Sequence, residues 1–415
     1  MFRNILGYAI CLGIVFIMCT DRDLYLKHKN RNLIILLGGI ALQVVMTLLL
    51  LHSQIIIGAI KSVSDFILKM SKASVEGTKF VFGYLGGDKL PFDTKPGIST
   101  FILGLQSFPM VIFMAVFFSI LTYLKIMPIV SKILGAPFKY IFKISDSLGM
   151  VSVSKVLLGQ FEAPLMIHPY LNDLKKNEMF IILSLAGSTS SASVMPVYAD
   201  LLKNTIPNST NYFIMANILN VITTLIICSV LIPKDHPKET ASNYKLVQPY
   251  ASFSDAMNVG LSNGTATWIA IVGSLLGMVA LISFANELLA TIPNFHGKPI
   301  TLQRLAGSLI YPIVWFLEIP SADFSAFAQV VASKTILNEI VAMTELVKHN
   351  MSEASVIKSI FMIGNFCNIS TMGITMTAMV TMAPKCPYIK PLMGKAFFVA
   401  LISTIMTTHL VCILL

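Results

Sequence analysis

The sequence predicts an all-α integral membrane protein with about eight transmembrane helices and two opposed re-entrant helical hairpins, arranged as inverted repeats. The first observation is composition, since 55% of the 415 residues are hydrophobic and only 12% are charged. This balance is far from that of a soluble globular domain. The second observation is a series of apolar segments of bilayer-crossing length. The third is a pair of carboxylates, Glu162 and Glu339, inside otherwise apolar sequence.

The apolar segments predict the order of helices along the chain, because a crossing needs roughly 20 apolar residues. No small-residue cleavage site follows the first segment, so we interpret it as a span and not as a signal peptide. The segments 178–202 and 354–383 contain polar interruptions and are expected to be broken helices. Complete crossings are expected near residues 4–20, 33–52, 100–122, 211–232, 266–289 and 393–415.

Two further segments, 54–85 and 124–146, place lysines between apolar residues at helical spacing and are expected to lie along the membrane surface. The polar stretch 233–250 is the one linker-like segment and divides the chain near its middle. The predicted units are 1–122, mainly scaffold; 123–232, the first transport repeat; 233–320, linker and scaffold helix; and 321–415, the second transport repeat.

The basic residues predict the orientation of the chain. The loop 21–32 contains Arg22, Lys27, Lys29 and Arg31, and the positive-inside rule places it in the cytoplasm. Both termini are therefore expected outside a cell inner membrane. The net charge of +10 is spread over the loops, so it predicts no nucleic-acid partner, and the expected partners are membrane lipid and a small-molecule substrate.

Two short polar motifs are the candidate functional site. Glu162 lies in Gly159-Gln-Phe-Glu-Ala-Pro164, and Asn338-Glu339 lies in Lys334-Thr-Ile-Leu-Asn-Glu339. A carboxylate at bilayer depth persists where it faces a partner or a watery cavity. Hairpins of opposite polarity that carry such acids predict a binding site at the bilayer midplane. The alternative interpretation is structural: the polar pairs cap hairpin tips, and the small residues of 188–193 serve close helix packing.

The sequence contains no motif that predicts catalysis or ATP hydrolysis. There is no zinc-protease motif, no phosphate-binding glycine loop and no nucleophile-elbow serine, so neither an enzyme nor an ATP-driven pump is expected. The six cysteines show neither metal-site spacing nor a disulfide framework. No cofactor is expected beyond a coupling ion.

The motifs resemble those of the concentrative nucleoside transporter family over nearly the whole chain. This resemblance implies an ion-coupled symporter of nucleosides, typically a homotrimer, in which a scaffold holds a transport unit that moves as an elevator. The matching segments are 77–83, 106–109, 159–164, 169–171 and 334–339.

The resemblance also implies the residues that bind substrate. It places the nucleobase on the first repeat and the ribose on the second, and a site built on ribose hydrogen bonds rejects analogues that lack the hydroxyls. The implied nucleobase contacts are Gln160, Phe161, Glu162 and Val194; the implied ribose contacts are Glu339, Asn368 and Thr371, with Phe366 packed nearby.

This chain departs from the family pattern at three positions. Phe161 stands where the family usually has Ser or Thr, and Thr371 where Ser is common. Lys155 stands where sodium-coupled members have an Asn that ligates the ion, and the other matching cation-site positions are Leu158, Thr189 and Ser190. An ammonium there would repel sodium, unless it extends away to the membrane surface. We therefore expect transport to be driven by a proton gradient, or to be uncoupled, and not to depend on sodium.

The sequence leaves two alternatives open. One is a carrier of the same fold for another ribosylated or nucleobase-like metabolite. The other is an ion channel or membrane scaffold built on the same hairpins. Two acids buried in one occluded pocket favour a carrier, whereas polar rings repeated across subunits would favour a channel.

Overall fold

The computed structural model describes residues 1–93, 100–156, 158, 162–233, 248–293 and 299–415, and the regular elements within them are helices. The N-terminal part contains two apolar helices and a long amphipathic helix, as predicted, joined by short connections. Its helices are α1 (Phe2–Ile17), α2 (Arg22–Lys27), α3 (Lys29–His52), α4 (Gln54–Phe82) and α5 (Leu103–Gln106).

Two similar series of helices follow. Each series has an apolar helix, an amphipathic helix, a helical hairpin, a broken helix and a long apolar helix. The first contains α6 (Met110–Tyr123), α7 (Ile126–Phe142), α8 (Asp146–Ser154), α9 (Glu162–Leu165), α10 (Lys176–Ser188), α11 (Met195–Leu202) and α12 (Ser209–Leu231). The second contains α13 (Phe253–Leu289), α14 (Leu302–Phe316), α15 (Phe324–Ile336), α16 (Glu339–Lys348), α17 (Glu353–Ile363), α18 (Ile369–Met382) and α19 (Ile389–Leu414).

The two hairpins differ in their second halves. In the second series α15 packs against α16, a regular helix of 10 residues. In the first series α9 has only four residues and is followed by a 3-10 helix, His168–Asp173. Pro164 and Pro169 lie in this stretch, and proline removes a backbone donor and disfavours a continuous helix. The second half of the first hairpin is therefore less regular than that of the second.

Five helical stretches in the described part of the chain are long and apolar enough to cross a membrane: Lys29–His52, Leu103–Tyr123, Ser209–Leu231, Phe253–Leu289 and Ile389–Leu414. Each of the five overlaps a predicted crossing, but the boundaries of two predicted helices differ, one among these five and one outside them. The helix predicted over 266–289 begins at Phe253, where the Ser252 hydroxyl caps it by accepting from the Asp255 amide. The helix predicted over 4–20 is α1, whose 16 residues end at Ile17.

Burial separates a central layer of helices from an outer one. In α12, 89% of the most apolar window is buried, whereas in α13 only 6% is buried. Helix α13 packs closely on α6 at Gly260 and Gly264, where a Cβ would lie 2.7 Å from the Val116 Cα and 2.6 Å from the Ile112 Cα. Small residues four apart allow this close approach of two backbones. The pair α6 and α13 therefore forms an outer wall, and α12 lies at the centre.

Candidate functional site

The two broken helices meet at their interruptions. Helix α10 ends at Ser188 and α11 begins at Met195, while α17 ends at Ile363 and α18 begins at Ile369. Between these ends the Phe366 amide donates a hydrogen bond of 3.3 Å to the Thr189 carbonyl. Helix ends leave backbone groups without intrahelical partners. The two interruptions thus bring polar backbone and side chains together in the interior.

The turn of the second hairpin positions Glu339. Helix α15 ends after Ile336, and the Asn338 side chain caps α16 by accepting a hydrogen bond of 3.0 Å from the Val341 amide. Glu339 is consequently the first residue of α16. A negative charge is favoured there, because the aligned peptide dipoles place partial positive charge at a helix N-terminus.

The Glu339 carboxylate is 5% exposed and is held by two side chains from the broken helices. The Asn368 amide nitrogen donates to Oε2 at 2.9 Å, and the Tyr198 hydroxyl donates to Oε1 at 3.4 Å. The Asn368 amide oxygen in turn accepts from the Thr371 amide at 2.8 Å and caps α18. Asn368 therefore joins the acid to the start of a second helix.

A buried cation lies close to this acid. Lys334, one turn before the hairpin tip on α15, is only 1% exposed, and its charge interacts with that of Glu339. A buried charge is costly unless an opposite charge or hydrogen bonds compensate it. Lys334 and Glu339 therefore contribute opposite charges to one interior region.

A small cavity opens beside Glu339. Its volume is about 70 Å³, below the roughly 300 Å³ at the lower end of typical ligand sites. A ligand the size of a sugar with an attached base therefore requires the cavity to widen. The residues that line it are Ser191, Ser193 and Val194; Asn338, Glu339 and Ile340; Phe366, Thr371 and Ile374; and Thr267, Ala270, Ile271 and Ser274 of α13.

The α13 wall is joined to the broken helix by a hydroxyl pair. The Ser274 and Ser370 oxygens lie 2.6 Å apart. The other α13 residues on the cavity are Thr267, Ala270 and Ile271, which are mostly apolar or small. The outer wall thus closes part of the cavity with hydroxyl and apolar side chains, while the acid and the amides lie outside α13.

The sequence-predicted cation positions lie together around Asn217 of α12. The Asn217 Oδ1 accepts from the Ser190 amide at 2.9 Å and the Ser190 hydroxyl at 3.3 Å. The Asn217 Nδ2 donates to the Ser190 carbonyl at 2.9 Å and to the Val156 carbonyl at 3.2 Å. Val156 lies between Lys155 and Leu158, each 1% exposed. One amide therefore connects the end of α8 to the first interruption.

Thr189, the remaining cation position, is fully buried, and its hydroxyl donates to the Leu185 carbonyl at 3.0 Å. Of the predicted substrate residues, Val194, Glu339, Phe366 and Thr371 line the cavity, and Asn368 bonds to Glu339. Gln160 and Phe161 lie outside the described residues, as does the Glu162 side chain, although Glu162 begins α9.

Sequence reasoning missed two residues of this region. Asn217 is a single amide within the apolar helix α12, and a polar residue at membrane depth is itself an indication of function. Tyr198 follows Val194 by four residues, which places both on one side of the helix. The Tyr198 hydroxyl reaches Glu339, and its ring packs on Phe213 with centroids 4.9 Å apart.

Three family models match successive parts of the chain. They describe the N-terminus of sodium-dependent nucleoside transporters over residues 6–85, a nucleoside-recognition gate over 105–205, and the C-terminus of sodium-dependent nucleoside transporters over 212–412.

Relatives and solved structures match over most of their length. The nucleoside permease NupC of Helicobacter pylori is 23% identical, and the match covers 92% of this chain and 90% of that protein. The purine nucleoside transport protein NupG of Bacillus subtilis is 26% identical, with 89% and 87% covered. The structure of CNTnw in an inward-facing substrate-bound state superposes with a TM-score of 0.87 at 24% identity, covering 100% of this chain and 97% of that chain. The fold is shared with that structure.

Proposed function

The chain belongs to the concentrative, sodium-dependent nucleoside transporter family, and from this premise we propose that it is a secondary active transporter that imports nucleosides across the inner membrane. Proteins of this family are transporters and not enzymes. Five helices of spanning length and a carboxylate buried beside an interior cavity support this proposal.

The observation that carries the substrate assignment is the Glu339–Asn368 pair at the cavity. A carboxylate accepts hydrogen bonds and a side-chain amide donates and accepts them, so the pair matches vicinal hydroxyl groups, each of which does both. Thr371 lines the same cavity. We assign the ribose to these three residues.

The nucleobase is assigned to Val194, which lines the same cavity with apolar surface, since base rings bury well against apolar side chains. Phe366, which also lines the cavity, is assigned to pack near the ribose. Gln160, Phe161 and Glu162 complete the proposed base contacts by their match to the family motif. Phe161 stands where the family usually has a hydroxyl, so we expect the base selectivity of this chain to differ from that of relatives with Ser or Thr there.

The proposed coupling ion is a proton. Lys155 occupies the position of the sodium-ligating amide and is buried next to the carbonyl that Asn217 binds. Two unit charges 4 Å apart repel by about 4 kcal/mol at an effective dielectric constant of 20. A site that binds sodium with a millimolar dissociation constant has a binding free energy of about 4.1 kcal/mol. A repulsion of this size would therefore cancel sodium binding at such a site.

The proposed mechanism is an elevator within a homotrimer whose termini lie outside the cell. The outer wall of α6 and α13 serves as scaffold, and the hairpins with the broken helices form the moving unit. Two observations support this division. The two parts are joined by a hydrogen bond between the Ser274 and Ser370 hydroxyls, which are short side chains. Helix α13 also leaves most of its apolar surface to lipid or to neighbouring protomers.

The test is competition for uptake into proteoliposomes containing the purified protein. We expect uridine and adenosine to compete with a labelled nucleoside, and free uracil and free ribose to compete poorly. Equal competition by the free base would favour a carrier of nucleobase-like metabolites on the same fold. Substrate-independent, non-saturating ion current through the same liposomes would favour the channel alternative.

A further inference from the structure

Helix α12 carries a row of polar side chains that the substrate site does not use. Asn217, Asn220, Thr224 and Cys228 are fully or almost fully buried, and Asn217 is the residue that holds Ser190. Steps of three and four residues keep side chains on one side of a helix, about 5–6 Å from one to the next. The four residues therefore form a continuous stripe, here named the α12 stripe.

Two members of the stripe have unused hydrogen-bonding groups. Asn220 is 0% exposed, and neither its amide nitrogen nor its amide oxygen has a partner among the described residues; the same holds for the Thr224 hydroxyl. Leaving one buried amide or hydroxyl group unpaired is unfavourable. Bound water is the usual partner of buried polar groups that lack a protein partner, and three such atoms lie within about one turn of this helix.

The far end of the stripe approaches the surface. Cys228 lies against Ser184 of α10, and Ile232 follows Cys228 by one helical turn. Ile232 lines a cavity of about 550 Å³ between the end of α12 and the start of α10. Lys175 and Asn177 also line this cavity, and the positive-inside rule places it on the cytoplasmic side.

Titratable groups lie at both ends of this route and at one point between them. Lys155, beside the Val156 carbonyl that Asn217 binds, lies at the inner end. Asp173, Lys175 and Lys176 line the surface cavity, and Cys228 lies between. The helices packed against α12 contain further buried titratable groups, of which Tyr198 is directed to Glu339 and His409 to Asn4. These groups are Tyr8 and Cys11 of α1, Glu178 of α10, Tyr198 of α11 and His409 of α19.

We propose that the α12 stripe binds a chain of water molecules and forms the path by which coupling protons pass between the Lys155–Ser190 region and the cytoplasm. This inference rests on the proposed proton coupling and names the route that the protons take through the protein. The polar atoms of Asn220 and Thr224 hold the water, and water chains carry protons without the passage of a larger ion.

The first test detects the water itself, independently of transport. Hydroxyl radicals generated by X-ray radiolysis of bound water oxidise neighbouring side chains, and mass spectrometry locates the products. Cys228 and Cys11 are a matched pair, since both are buried thiols on apolar helices, at 3% and 7% exposure. We expect faster oxidation of Cys228 than of Cys11, and a reduction to the Cys11 rate in the double variant Asn220→Leu/Thr224→Val. Equal oxidation of the two thiols in the unaltered protein would overturn the proposal.

The second test separates proton passage from substrate movement. We expect Asn220→Leu to lose nucleoside accumulation driven by a pH gradient while retaining nucleoside exchange at equal pH, which requires no net proton movement. Thr224→Val, a nearly isosteric change, provides the same test if the leucine variant does not fold. The control is Ser229→Ala, since the Ser229 hydroxyl lies off the stripe and is bonded to the Ile226 carbonyl.

The outcomes distinguish the two proposals. A pH response in the unaltered protein that survives both Asn220→Leu and Thr224→Val would overturn the path while leaving proton coupling intact. Absence of any pH response in the unaltered protein would overturn proton coupling and, with it, the proton role of the stripe. Loss of accumulation with retained exchange would support both.

Discussion

The side-chain amide of Asn368 donates a hydrogen bond of 2.9 Å to the Glu339 carboxylate, so the second hairpin and the second broken helix meet at one hydrogen-bonded pair. Glu339 begins α16 and Asn368 caps α18. Two helix N-termini therefore point toward the same acid, and each favours its ionised form. The pair is positioned before substrate binds, which lowers the cost of ordering the site.

Replacing Glu339 by Gln should reduce nucleoside uptake by roughly tenfold to a hundredfold, because a hydrogen bond to a charged group is worth about 1.5–3 kcal/mol. The measurement is the initial uptake rate per folded protein. Glu345→Gln is the matched control, since Glu345 is on the same helix but is 36% exposed and paired with Lys348. Equal uptake in the Glu339 and Glu345 variants would remove Glu339 from the site.

Replacing Asn217 by Ala should lower both thermal stability and uptake. The change leaves the Ser190 amide, the Ser190 carbonyl and the Val156 carbonyl without their present partner, and each unsatisfied buried group costs about 1–3 kcal/mol. The melting temperature in detergent is the direct measurement. Asn211→Ala, at a half-buried position on the same helix, should leave it unchanged. A melting temperature unaltered by Asn217→Ala would mean that α12 does not hold the first interruption.

Replacing Lys155 by Asn should make uptake respond to sodium. The unaltered protein should accumulate nucleoside under an imposed pH gradient and should not respond to a sodium gradient at constant pH, because the ammonium repels a second cation. Lys132→Asn on α7, an exposed position, is the control for loss of one positive charge. Strong stimulation of the unaltered protein by sodium alone would show that Lys155 lies outside the ion site.

A disulfide between residues 274 and 370 should stop transport. The Ser274 and Ser370 oxygens are 2.6 Å apart, so cysteines at these positions place two thiols beside each other, as a disulfide requires. In the double variant Ser274→Cys/Ser370→Cys, oxidation should abolish uptake and a reductant should restore it, whereas each single variant should be insensitive. Full transport by the cross-linked protein would mean that α13 and α18 move together, contrary to an elevator.

The sequence predicted the broken helices because these depend on local pattern. A run such as Asn365 to Thr371 is too polar for a continuous apolar span, and the Asn338-Glu339 pair is unusual at membrane depth. Helix boundaries were less well predicted where the end of a helix contains polar residues. The start of α13 contains Asp255 and Asn258, so counting apolar residues placed its beginning too late, although Ser252 and Asp255 form a readable helix-start pattern.

The remaining errors concern contacts between distant segments. Asn217 is far in sequence from both Val156 and Ser190, and nothing local indicates that its amide joins them. Tyr198 similarly meets Glu339 across 141 residues. The unequal halves of the first hairpin could have been anticipated from Pro164 and Pro169, since both interrupt the helix after Glu162.

The central claim is that Glu339 and Asn368 bind the ribose. Its most direct test compares inhibition of uptake by the best-transported nucleoside and by its 2′- and 3′-deoxy analogues, in the unaltered protein and in Asn368→Ala. We predict that the unaltered protein prefers the complete ribose over at least one analogue by roughly tenfold or more, as expected for one charge-assisted hydrogen bond. The variant should bind that analogue and the parent nucleoside equally weakly. Undiminished discrimination by the Asn368→Ala variant would contradict the account.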